Sequence, residues 1–262
     1  MSQPIVVVDA FTARPFAGNP AAVCLLAAPV EEAWMQAVAR EMNLSETAFL
    51  QREGDAFRLR WFTPAAEVDL CGHATLGSAH WLWESGAVEP AQPIAFETRS
   101  GRLVALKSGA WIALDFPAKP ALPAEPPAQL AAALGAAPQR FAISQFDCLV
   151  EVASEDVVKA LKPDIGALGA LSYRGTIVTA AASTPGFDFV SRFFAPRVGV
   201  PEDPVTGSAH CVLGPYWKNR LGKTDLLAYQ ASPRGGVVKV GVRGERVLLG
   251  GQAVTVWKGE ML

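Results

Sequence analysis

The sequence predicts an α+β chain built as two related halves, and three observations lead there. The stretch RWFTPAAEVDLCGHATLGSAHWLW, from Arg60 to Trp83, has a second version, RFFAPRVGVPEDPVTGSAHCVLGPYW, beginning at Arg192. Arg60, Phe62, Pro64, Glu67, Gly72 and Ala74 are thereby matched by Arg192, Phe194, Pro196, Glu202, Gly207 and Ala209, at spacings of 132 to 135 residues in a chain of 262. Finally, Pro117 to Pro127 carries five prolines in eleven residues without periodicity, the composition of a linker. These boundaries give a first half over residues 1–118 and a second over 127–249.

Each element follows from local pattern. IVVVDAF reads as a buried strand, and Gly18 to Leu26 as a turn leading into a second strand. From Glu31 to Met42, apolar residues at Ala33, Trp34, Ala37, Val38 and Met42 mark one face of a helix that stops near Asn43. NLSETAFLQ passes from a polar turn into an extended run, so Glu46 stands where a helix hands over to a strand. In each copy of the repeated motif a strand ends at a proline, and an acidic loop leads through a glycine into an Ala-rich segment with helical periodicity. PIAFETRSGRLVALKSGAWIALDFP alternates and turns at Ser100-Gly101 and Ser108-Gly109, as an antiparallel meander does.

The second half opens with a short helix, QLAAALG, then the strands of RFAISQFDCLVEVAS. EDVVKALKPDIGALGAL is a helix broken at Pro163. RGTIVTAAA and GFDFVSRFFAP are strands leading into the second motif, and VVKVGVRGERVLLGG with QAVTVWKG closes the chain in strands.

Composition narrows the function. Hydrophobic residues make up 50%, enough for a sizeable core, while 18% charged residues and a net charge near −2 provide no basic field for nucleic acid or an anionic membrane. The opening apolar run is short and has no basic region before it, unlike a signal peptide or membrane span. Four cysteines without framework spacing are expected to be free thiols of a reducing compartment, so the expectation is a soluble, cytoplasmic protein. Nucleotide-binding signatures are missing, and no cofactor is implied.

The candidate chemistry gathers at the strand and helix starts. Glu46 lies between Leu44, Ala48 and Phe49, where desolvation would raise its pKa and let it take and return a proton; the alternative is a solvated turn carboxylate. Gly72 and Gly207 open the two motif helices, whose first turns offer unpaired N–H groups to an anion; the plainer reading is an ordinary helix start. His73 follows Gly72, while Asp203 and Ser208 flank Gly207. If related halves share a cleft, these polar groups converge on one ligand. Gly18 and Asn19 could line it, or simply turn the chain.

Cys71 and Thr206 directly precede the two glycines. Paired thiols there would make a two-base racemase, but Thr206 is a poor proton-transfer group. Zinc held by Cys71 with His73, or by His210 with Cys211, is a further reading, although those spacings match no common zinc motif. His80 and His210 otherwise read as packing or capping residues.

VDAFTARPFAGNPAAV, NLSETAFL, DLCGHATLGSAHWL, EDPVTGSAH and GGQAVTVWKGEM together resemble the PhzF-like isomerases of phenazine biosynthesis, from the first strand to the last. The resemblance implies a diaminopimelate epimerase-like fold: two pseudo-symmetric halves, each a mixed, mostly antiparallel barrel-like sheet around a central helix. It implies an interdomain active site, and a last strand, about 250–262, that may return to the first half. By similarity Glu46 is the acid/base that moves a proton between carbons of a small cyclic carboxylic acid without a cofactor. His73, Asp203 and Ser208 support it, and Gly72, Gly207 and Asn19 help to bind substrate. A homodimer is also implied. Two alternatives stay open: an epimerase that uses Cys71, and a non-catalytic binding protein of the same fold.

Overall fold

A computed structural model of the chain describes residues 3–261. The described residues form two compact units, one running to Asp115 and resuming at Gly250, the other comprising Phe116–Leu249.

The first unit contains β1 (Gln3–Ala10), β2 (Asn19–Leu26), α1 (Glu32–Met42), β3 (Glu46–Glu53), β4 (Ala56–Phe62), β5 (Glu67–Val68), α2 (Gly72–Glu84), β6 (Ile94–Thr98) and β7 (Gly101–Ser108). β8 (Trp111–Pro117) carries the chain into the second unit. That unit contains β9 (Leu122–Pro123), α3 (Leu130–Leu134), β10 (Arg140–Ile143), β11 (Asp147–Glu151), α4 (Glu155–Ala160), α5 (Ile165–Gly169), β12 (Gly175–Ala181), β13 (Phe189–Ala195), β14 (Val200–Asp203), α6 (Gly207–Leu221), β15 (Asp225–Gln230) and β16 (Gly236–Arg243). β17 (Arg246–Gly251) leads back, and β18 (Ala253–Met261) lies antiparallel to β1.

The same succession of pairings occurs in both units. In the first, β1 and β2 are antiparallel, α1 crosses to place β3 parallel to β2, and β4 returns antiparallel; α2 then crosses to β6, parallel to β4. In the second, β10 and β11 are antiparallel, α4 and α5 cross to β12, and β13 returns; α6 crosses to β15, parallel to β13. Parallel neighbours need such crossovers because a tight turn can only reverse a strand.

The matched motif residues do matched work. Arg60 donates from Nε and an Nη nitrogen to both Glu67 carboxylate oxygens, at 2.7 and 2.6 Å, and also reaches Glu32 of α1 at 2.5 Å. Arg192 clasps Glu202 in the same bidentate way at 2.7 and 2.8 Å, and its other Nη donates to the Leu161 carbonyl just after α4 at 2.8 Å. Each arginine thus ties a motif strand to the short strand beyond it and to a crossover helix, with the fork geometry that only a guanidinium supplies.

Two expectations need correction. The acidic stretches are not plain loops, since Glu67–Val68 pairs with β4 and part of Val200–Asp203 with β13. The motif helices also lack one-sided periodicity: every residue of α2 from His73 to Ala79 is buried, because the helix packs against β1, β2, β3 and β18. A helix covered on all sides has no polar face to alternate with its apolar one.

α6 tolerates Pro215 in its interior. Proline cannot donate to the carbonyl four residues back, which is that of Cys211. The backbone N–H of Lys119 donates there instead, at 2.9 Å, so the freed carbonyl stays paired.

Phe49, Phe62, Met35, Val38, Ile5 and Cys24 form a core in the first unit. In the second, Leu130, Leu134, Val150, Val158, Val178 and Phe194 pack together. All four cysteines are free and buried. Burial pushes the Cys24 and Cys148 thiols up to about 12, which keeps both protonated and inert.

Candidate active site

In the first unit, local structure brings Asn19, Glu46, Cys71 and His73 together. The β1–β2 loop ends at Gly18, whose φ is +64° and whose missing Cβ would meet the Ala10 carbonyl oxygen at 2.1 Å. Only glycine fits such a bend. It delivers the fully buried Asn19 as the first residue of β2. α1 terminates at Asn43 in the left-handed conformation, φ +50°, and Glu46 opens β3 beside Ala21 of β2. Cys71 caps α2 and His73 is its second residue.

The distances define a small polar cluster. Nδ2 of Asn19 lies 3.2 Å from Nδ1 of His73, and Nε2 of His73 lies 3.2 Å from a carboxylate oxygen of Glu46. The Cys71 sulfur is 3.5 Å from Nδ1. Burial drives the His73 pKa down to about 3, so the ring is neutral near pH 7. An amide nitrogen only donates, so the Asn19 contact makes Nδ1 the acceptor and assigns the ring hydrogen to Nε2, the ring nitrogen near Glu46. The Glu46 side chain keeps 19% of its surface exposed, so it is both sheltered and reachable.

Glu46, Cys71 and His73 also form the one donor set of three among the described residues that a metal ion could share, with ligand atoms within 4.8 Å of one another. His210 and Cys211 belong to no such set. Nδ1 of His210 donates instead to the Thr206 carbonyl at 2.8 Å, and burial lowers its pKa to about 4. Thr75, four residues after Cys71 as His210 is after Thr206, donates likewise to the Cys71 carbonyl. His80 bonds Thr255 of β18 at 3.2 Å and packs there.

In the second unit, Asp203 ends β14 and accepts the Thr206 hydroxyl at 2.6 Å. Gln230, fully buried, accepts the Thr206 N–H at 2.9 Å and donates to the Asp203 carbonyl at 2.7 Å, which fixes the turn into α6. Ser208, second in α6 after Gly207, accepts from Arg174 at 3.1 Å. The sequence reading named Asp203, Gly207 and Ser208 but missed Gln230 and Arg174. Gln230 carries no local signal, whereas Arg174 was findable by extending the repeat back to the strand that precedes each motif.

A profile of phenazine biosynthesis-like proteins matches residues 8–259. The chain belongs to this family. Among its relatives, an uncharacterized isomerase of Halalkalibacterium halodurans is 54% identical over 100% of this chain and 99% of its own length. One from Pseudomonas aeruginosa is 50% identical over 97% and 96% of the two chains. The solved PhzF-family protein of Enterococcus faecalis is 44% identical, covers both chains completely and superposes with a TM-score of 0.96. A probable proline racemase from Agrobacterium radiobacter, 12% identical over 99% and 93% of the chains, reaches 0.66, a likeness of fold alone. The chain is an isomerase of the PhzF type with the α+β fold shared by these epimerase-like proteins.

Proposed function

We propose that the chain moves a proton between two carbons of a small cyclic carboxylic acid, with Glu46 as the acid and base and without a cofactor. The observation that carries this reading is the 3.2 Å approach of Glu46 to a neutral His73. Glu46 as carboxylate removes a proton from one carbon, and as carboxylic acid returns it at another. His73, neutral and 3.2 Å away, gives the carboxylate a polar neighbour without adding a full charge beside it. Asn19 keeps the assigned tautomer by occupying Nδ1.

Asp203 and Ser208 are proposed to hold the substrate carboxylate and the charge that develops during transfer, together with the backbone at Gly72 and Gly207. That both motifs serve one substrate, at an interdomain site, rests on the repeated sequence. A homodimer, carried over from the family resemblance, and a cytoplasmic location, read from the cysteines and the opening segment, belong to the same proposal.

The epimerase alternative would need Cys71 as a base and a second base opposite it. Cys71 has His73 at 3.5 Å, but its counterpart Thr206 gives its hydroxyl hydrogen to Asp203. This favours the single carboxylate. Incubation in D2O with a panel of small cyclic and amino acids, followed by NMR, tests the reading. Deuterium uptake by a cyclic acid that disappears in Glu46→Gln supports it, while full uptake with Glu46→Gln refutes it.

A further inference from the structure

The strand registers align the two units more finely than the motifs do. Thr47 pairs with Phe62 and Phe49 with Arg60, while Thr176 pairs with Phe194 and Val178 with Arg192. Because Phe62 and Arg60 match Phe194 and Arg192, Thr47 corresponds to Thr176, and Glu46 to Gly175. The second unit therefore has no side chain where the first presents its carboxylate. A Cβ on Gly175 would come within 2.3 Å of the Phe193 ring. The preceding residue, Arg174, reaches the second residue of α6, Ser208, as Glu46 reaches the second residue of α2, His73.

Arg174 is held rigidly. Nε and one Nη donate to the two oxygens of Asp147 at 2.8 and 2.5 Å, and the same Nη donates to Ser208 Oγ at 3.1 Å. Asp147 is buried and pairs with Gly175 as Ala21 pairs with Glu46. The guanidinium lies 5.4 Å from the Phe146 ring and 5.9 Å from that of Phe193. Its charge is balanced by Asp147, so what it offers is a fork of donors in fixed directions.

A hydroxyl that accepts a hydrogen bond still has its own hydrogen to give. Among the described residues none accepts the Ser208 hydrogen, and Ser208 is only half-buried. We infer that Arg174 is a positioning residue: held by Asp147, it fixes the Ser208 hydroxyl as a donor and so selects substrates with an anionic oxygen, a carboxylate above all. This rests on the proposed role of Ser208 in substrate binding. The first unit moves the proton and the second reads the charge.

Benzoate is the probe, benzamide its uncharged counterpart, and the amide signals of Ser208 and Ala209 in the full-length chain report binding by NMR titration. Replacing Arg174 alone strands the buried Asp147 charge, so the pair is removed together as Arg174→Met with Asp147→Asn. This variant is expected to bind benzoate about tenfold more weakly, with benzamide unchanged. Ser208→Ala should lose as much, and adding it to the pair variant should lose nothing more, because the two act through one hydroxyl. Arg174→Lys, checked by its unfolding midpoint, should restore part of the affinity.

Additive losses, unchanged benzoate binding in the pair variant, or no saturable shift in the wild type would overturn the inference. In a Glu46→Gln background the pair variant should still lose about tenfold in benzoate affinity, because Glu46 does not act through the Ser208 hydroxyl. Failure of the proton-transfer reading and failure of this one therefore leave different signatures.

Discussion

Lowering the pH from 7.5 to 5 should destabilise both units through a single buried histidine in each. Burial holds His73 near 3 and His210 near 4, whereas a histidine in the unfolded chain titrates at about 6.5. Below 6.5 the unfolded chain takes up protons that the folded one refuses, so stability is complete above that pH and is lost as pH falls toward the folded values. At pH 5 the gap is about 1.5 pH units for each residue, worth about 2 kcal/mol apiece. The third histidine, His80, is lowered by burial too and adds in the same direction.

Urea unfolding at intervals between pH 7.5 and 5, read for wild type, His73→Gln and His210→Gln, isolates each contribution. Carboxylates titrate mostly below this window. Each substitution carries its own fixed cost, so the quantity compared is the change in stability across the window. Each variant should lose about 2 kcal/mol less than wild type. Curves parallel to wild type would refute the neutral buried imidazole, and with it the assigned tautomer of His73.

Gly18→Ala should cost the first unit about 2 to 5 kcal/mol, from the left-handed backbone and the clash with the Ala10 carbonyl, and should slow proton exchange by displacing Asn19; urea unfolding and the exchange assay check both. Glu155 is a second-unit test. Burial opposes its ionisation, but hydrogen bonds from Lys159, Thr184 and Ser183 outweigh this and hold its carboxyl well below the usual range. Glu155→Gln removes the charge that these donors serve and should cost about 3 kcal/mol by the same unfolding assay, without altering the exchange rate at saturating substrate.

The features legible in the sequence are those whose physics is local or duplicated. The repeat was visible because Arg60 with Glu67 and Arg192 with Glu202 each need both partners for the bidentate clasp. Glu46 stood out because the helix stop at Asn43 and the start of β3 lie only three residues apart. Less legible were β5 and β14, two and four residues long, too short for an alternation to register. The parallel pairs join residues brought together only by a crossover helix, so no local pattern announced that Ala21 lies beside Glu46 or Asp147 beside Gly175. Gln230 reaches Thr206 across 24 residues of chain and was hidden for the same reason.

The central claim is that one carboxylate, with neither a thiol pair nor the imidazole as base, carries the proton. Deuterium uptake measured on one substrate for wild type, Glu46→Gln and Cys71→Ser tests it most directly. The account predicts that Glu46→Gln loses at least about a hundredfold in exchange rate, in keeping with removal of a general acid and base, while Cys71→Ser stays within a few-fold of wild type. Exchange that survives in Glu46→Gln and vanishes in Cys71→Ser would contradict the account and assign the chemistry to the thiol.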